Sequence, residues 1–143
     1  GMGGRLGDSV REKQGLAYYV YSSAEAGMDA GPWLAAAGVA PQAVDQTVRS
    51  ILAEIKRLQD ELVPAEELAD TQAYITGLLP LQLETNAGVA NVISNMEWYK
   101  LGLDYLLGYS DAVWQVTPAD VQRVAQQYLG PEVYVLATAG PVP

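Results

Sequence analysis

Arg11 and Tyr18 are the residues whose types and spacing best suit polar chemistry. They lie seven positions apart in Val10-Arg11-Glu12-Lys13-Gln14-Gly15-Leu16-Ala17-Tyr18. An arginine supplies a fixed positive charge and a tyrosine a neutral O–H donor, and together they can hold a carbonyl oxygen as it turns into an oxyanion. Spacing alone leaves the other reading open, an exposed arginine and a tyrosine used for packing. The carboxylates form no comparable set. Glu66 and Glu67 are adjacent, so on a helix they point about 100° apart and serve better as charges facing the helix dipole. Glu84 and Glu97 have no partner at ligand spacing. The aromatic cluster Tyr18, Tyr19 and Tyr21 could stack single-stranded nucleic acid, but strand aromatics more commonly pack. The glycines at the start are followed by neither phosphate-loop pattern.

Composition narrows the chemistry further. The 143 residues contain no histidine and no cysteine, which removes the usual general base near neutral pH, the commonest zinc ligand, thiol nucleophiles and disulfides. The chain by itself is therefore a poor hydrolase. Eight Lys and Arg against seventeen Asp and Glu leave a net charge of −9, the wrong sign for a surface that neutralises phosphates, so no nucleic acid is expected. No apolar run approaches a membrane span of roughly 20 residues. Half of the residues are hydrophobic and 17% are charged, which excludes intrinsic disorder and leaves surface for a partner to cover. The length suits one domain, residues 1–143.

The elements that must position the pair follow from periodicity. Residues Arg5 to Gln14 read as the last turns of a helix, with Leu6 and Val10 four apart and Gly15 available as a left-handed terminator. The aromatic run from Leu16 to Ser23 reads as a strand, Ala26 to Pro32 as a turn, and Trp33 to Ala40 as a second, antiparallel strand. After Pro41 the period changes to 3.6, with Val44, Val48, Ile51, Ile55, Leu58 and Leu62 on one stripe and Glu54 assigned to the solvated faces. A helix after Pro64 carries Leu68, Ile75, Leu78 and Leu79 inward, and Gly77 and Pro80 predict a kink or break in it. Further helices are expected from Ala87 to about Leu101, with Val89, Val92, Ile93, Met96 and Tyr99 on one inward stripe, from Asp111 to Val116, and after the capping-box sequence Thr117-Pro118-Ala119-Asp120. The last has Val121, Val124, Ala125 and Tyr128 inward. The run Val133 to Ala139 reads as a closing strand beside the first hairpin. Strand, strand, helices, strand is an α+β order, with helices packed on one face of a mainly antiparallel sheet. Three glycines in the first four residues, followed at once by a helix, lead us to expect that the chain starts inside a larger fold. An open sheet edge would then favour a homo-oligomer.

Gly4-Arg5-Leu6 with Val10 to Tyr18 resembles the signature of the second domain of pitrilysin/insulinase family zinc metallopeptidases, which include mitochondrial processing peptidases. Pro64-Ala65-Glu66-Glu67-Leu68, Thr117 to Val121 and the run from Val133 to Pro141 are similar to later landmarks of that family, in order, so the resemblance covers essentially the whole chain. It implies a C-terminal, non-zinc domain in a clam-shell that encloses unfolded peptides. Zinc would be bound in the complete enzyme by a His-x-x-Glu-His helix and a downstream Glu of another domain or subunit, with no cofactor in this chain. Arg11 and Tyr18 match the family's carbonyl-binding arginine and tyrosine in type, spacing and context, and the resemblance gives them that role. The chain departs from a complete member in having no zinc motif and none of the strands and helix that precede the glycine-rich segment. The alternative within the family is a non-catalytic peptide-binding or scaffold subunit.

Overall fold

Aromatic and small residues form an antiparallel hairpin, β1 (Ala17–Ala24) with β2 (Trp33–Val39), paired from Ala17 opposite Val39 to Ala24 opposite Trp33 with one register shift between Ala17 and Tyr19. The computed structural model describes residues 4–25 and 27–141. Gly1, Met2, Gly3 and Ala26 of the expected turn lie outside them. The described residues up to Glu61 and from Gln122 form one compact unit, and Leu62–Val121 a second.

In the first unit the core forms on one face of the hairpin. Val10 is fully buried against Ala17 and Val20, and Leu6, Leu16, Ala37, Val39 and Ile51 pack around them. Each fully buried valine stabilises the fold by about 1.5 to 3 kcal/mol. Tyr19 and Tyr21 remain half exposed. Pro41 opens a 3-10 turn, Pro41–Ala43, whose missing N–H falls where a helix leaves donors unpaired anyway. It leads into α1 (Val44–Asp60), which packs on both β2 and the helix that carries Val10. Glu54 departs from the expected solvated face. It is buried, and Arg57 Nη1 donates to its two carboxylate oxygens at 3.1 and 3.3 Å, so a partner one turn on makes the burial tolerable. At its C-terminal end α1 exchanges side-chain caps with α5 (Pro118–Tyr128). Gln59 Nε2 donates to the carbonyls of Ala125 at 3.3 Å and Leu129 at 2.6 Å, while Gln122 and Gln126 Nε2 donate to the Gln59 carbonyl at 3.1 and 2.8 Å. The Ala125 carbonyl also accepts from the Leu129 N–H at 3.0 Å, and the glutamines add donors at these helix ends, where carbonyls run out of partners within their own helix.

The second unit is helical: α2 (Ala65–Gln82), α3 (Asn86–Trp98), α4 (Tyr105–Trp114) and the first turn of α5. Buried Gln72 ties α2 to the end of α4, donating to the carbonyls of Val113 at 2.8 Å and Val116 at 3.0 Å. The Gly88 N–H donates to Thr85 Oγ1 at 3.0 Å, and a Cβ on Gly88 would lie 1.7 Å from the Gln82 carbonyl oxygen, so only glycine fits the tight passage from α2 to α3. The Thr117–Asp120 capping box forms as expected. Thr117 N–H donates to Asp120 Oδ2 at 3.1 Å and Asp120 N–H to Thr117 Oγ1 at 3.2 Å.

The structure corrects three further expectations. No break occurs at Gly77 or Pro80, because Pro80 sits only two residues from the end of α2, where the Leu83 N–H still reaches the carbonyls of Leu79 and Pro80. The inward stripes are less buried than their periodicity suggests: Ile75, Ile93, Tyr99, Val124 and Tyr128 are all exposed. The run from Val133 to Ala139 is not a strand. Among the described residues the sheet contains only β1 and β2, and without a neighbouring ladder this β-prone run stays unpaired, with Val135 95% exposed. The architecture is α+β, a two-stranded antiparallel sheet with helices.

Thr47 on α1 is 2% exposed and its hydroxyl has no hydrogen-bond partner among the described residues. Thr47→Val keeps the shape and removes the orphan group, and is expected to raise stability by about 1 kcal/mol in thermal unfolding. A fall in melting temperature would show that the hydroxyl is satisfied.

Candidate functional site

Arg11 lies on a helix of unusual width. Gly7–Lys13 is a seven-residue π-helix rather than the expected α-helical end. Bonds run from residue i to i+5 in such a helix, so residues five apart share a face. Lys13 Nζ accordingly meets Asp8 Oδ2 at 2.6 Å, and Gln14 Nε2 donates to the Ser9 carbonyl at 3.0 Å. Val10 points into the core, and the neighbouring Arg11 keeps 35% of its side chain exposed, its Nε 3.7 Å from Glu12 Oε1.

Gly15 ends this helix with φ at +62°, as the sequence led us to expect. Its N–H donates to the Arg11 carbonyl at 2.9 Å, and the Leu16 N–H donates to the Val10 carbonyl at 3.0 Å. A left-handed residue closes the helix in this way and turns the chain straight into β1. The π-helix and β1 then pack against each other. Arg11 and Tyr18 therefore belong to one corner of the first unit.

Tyr18 is held by a second irregularity. Ala17 pairs with Val39 and Tyr19 with Gly38, so two steps along β1 answer one step along β2, and Tyr18 is the extra residue of a β-bulge. A bulge shifts the phase of a strand. Ala17 and Val20 are both buried, three apart where a regular strand would place them on opposite faces, and Tyr18 between them is 86% exposed. Tyr19 and Tyr21 stack on the same face, ring centroids 6.2 Å apart. The Tyr19 ring covers Gly38, where a Cβ would come within 2.4 Å of Cε1.

The other candidates do not converge. Glu66 and Glu67 stand in the first turn of α2, as expected for charges facing a helix dipole, and Glu84 and Glu97 are exposed. A half-open cavity of about 330 Å³ lies in the second unit, lined by Leu78, Val92, Met96, Tyr99, Tyr105 and Tyr109 among others. Its walls are mostly apolar and carry no acid–base pair. Zinc does not fit this donor set: the sequence lacks histidine and cysteine, and no group of three or more potential ligands occurs among the described residues. Sequence reasoning missed Gln14. The polar residue just before the terminating glycine was the available signal.

Residues 1–75 match the family model described as the peptidase M16 inactive domain. The chain belongs to the peptidase M16 family. This M16 domain is 32% identical over 133 residues to an uncharacterised zinc protease of Streptomyces coelicolor, a match covering 91% of this chain and 28% of that protein. Its fold is that of a solved M16 inactive domain from Pseudomonas fluorescens (TM-score 0.81, 24% identity), with 92% of this chain and 31% of that one covered. A protease from Helicobacter pylori is similar too (TM-score 0.82, 21% identity, 92% of this chain and 32% of that one). The chain thus spans less than a third of each of these proteins.

Gly15→Ala should cost about 1 to 2 kcal/mol, since an L side chain is strained at positive φ. Nothing lies within 4 Å of a Cβ built there, so the loss reports backbone strain alone. Unchanged stability in denaturant would show that the turn relaxes.

Proposed function

We propose that this M16 domain contributes Arg11 and Tyr18 to peptide hydrolysis, binding the substrate carbonyl and stabilising the charge that develops on its oxygen. The single observation that carries the reading is the exposure of Tyr18 on its bulge. The other reading calls for a packed tyrosine, whereas Tyr18 is 86% exposed, and Arg11 keeps 35% of its side chain exposed. Bulges and π-turns both re-aim side chains and are frequent next to active sites. Here one of each flanks Gly15.

In this mechanism an extended peptide places its carbonyl at the corner between the π-helix and β1. The Tyr18 O–H donates a hydrogen bond to the oxygen, and the Arg11 guanidinium supplies positive charge that strengthens as the oxygen becomes negative. Each contribution amounts to about 2 to 4 kcal/mol in a preorganised site. The partners are an unfolded polypeptide and a zinc-bearing domain or subunit of the same family, since the ligands for a metal must come from elsewhere. A second reading is favoured by the absence of a zinc donor set and by the match to a domain described as inactive: a non-catalytic subunit that only binds peptide.

In the full-length protein, Arg11→Ala and Tyr18→Phe should each lower peptide turnover about 10²-fold with zinc content unchanged. Undiminished turnover in both variants removes the proposed roles, and a full-length protein that binds peptide without cleaving it favours the second reading.

Self-association belongs to the same proposal. Among the described residues β1 and β2 pair only with each other, so each leaves a ladder edge open. This chain at high concentration should run as a dimer or larger by light scattering. A strictly monomeric species rejects edge pairing.

A further inference from the structure

We propose that Gln14 is a positioning residue for the Arg11–Tyr18 corner, an inference that rests on the roles given to those two residues above. Gln14 is the last residue before the left-handed turn, and its side-chain amide is engaged from both ends. Its Nε2 donates to the Ser9 carbonyl at 3.0 Å, five residues back, and lies 3.5 Å from Ser9 Oγ. Its Oε1 accepts from Ser50 Oγ at 3.1 Å and from Gln46 Nε2 at 3.4 Å, both on α1.

The Gln14 backbone N–H goes to the Arg11 carbonyl instead of continuing the i→i+5 ladder. The side-chain amide binds the Ser9 carbonyl one π-turn back, and the same group anchors the helix end to a helix that packs on β2. Arg11 precedes Gln14 by one short turn and Tyr18 follows it by four residues. The backbone hydrogen bonds at the exit from the π-helix run from Gln14 and Gly15 to the Arg11 carbonyl and from Leu16 to the Val10 carbonyl, every donor lying within two residues of Gln14. A pair that must meet one carbonyl oxygen tolerates little misplacement, because an error of about 1 Å can cost 10²-fold in rate. Gln14 touches no substrate in this scheme and acts only through the placement of its neighbours.

The test uses the full-length protein, an internally quenched unstructured peptide as probe, and amide hydrogen exchange read by mass spectrometry. Gln14→Ala should lower kcat about tenfold with little change in KM and accelerate exchange at Gly15 to Ala17, while exchange in α2 and α3 stays as in the parent. In the Arg11→Ala/Tyr18→Phe background, Gln14→Ala should lower kcat no further. Gln14→Glu keeps the acceptor for Ser50 and Gln46 but loses the donor to Ser9, and should fall between Gln14→Ala and the parent. Unchanged exchange at Gly15 to Ala17 overturns the proposal whatever the activity, as does an equal loss of kcat in both backgrounds. Parent-like kcat for Gln14→Ala beside an impaired Arg11→Ala/Tyr18→Phe variant defeats the positioning role alone. Parent-like kcat for Arg11→Ala/Tyr18→Phe defeats the reading beneath it as well.

Discussion

The left-handed turn at Gly15 is the constraint on which the first unit depends. With φ at +62° and its N–H on the Arg11 carbonyl, it reverses the chain within one residue, so that Val10 before it and Ala17 and Val20 after it enter the same core. Any residue with a Cβ is strained there. Arg11 and Tyr18 depend on this turn for their common corner, and the hairpin depends on it for the face it presents to α1.

Two departures from regular geometry surround the turn and act in the same direction. The π-helix adds a residue to each turn, which brings residues five apart together and lets Gln14 cap the Ser9 carbonyl. The bulge adds a residue to β1, which lets Ala17 and Val20 both enter the core while Tyr18 faces solvent. Irregularities of this kind weaken local pairing, so they persist where surrounding contacts hold them. Here the holding contacts are the fully buried Val10 and the hydrogen bonds from α1 to Gln14. The corner carries positive charge and a hydroxyl, the sequence has no histidine to act as base, and no group of potential zinc ligands occurs among the described residues.

Much of the fold was legible because the signals were local. The stripe beginning at Val44 marks α1, Thr117 and Asp120 mark the start of α5, and Gly15 marks a helix end through its own stereochemistry. The Arg11–Tyr18 pair could be read only as a spacing within a resemblance. What the pattern misjudged depended on which contacts each residue makes in the fold, near or far in sequence. Glu54 is tolerated inside by Arg57 and by the packing around α1, Pro80 costs α2 little because the helix is about to end, and Val133 to Ala139 lacks a partner strand despite its β-prone residues. The exposed stripes of α3 and α5 carry the same lesson, since amphipathicity selects a face and only contacts bury it.

From the sequence alone came the class of the fold, the hairpin followed by helices, the lack of histidine and cysteine, and Arg11 and Tyr18 as a polar pair seven residues apart. These follow from residue types and short-range periodicity, which act within a few positions of the chain. Tertiary structure alone decided that the helix before Gly15 is π, that Tyr18 is the bulged residue, and that Gln14 joins the corner to α1. Each depends on the hydrogen-bond register between segments, and register is settled when both partners pack against the same core.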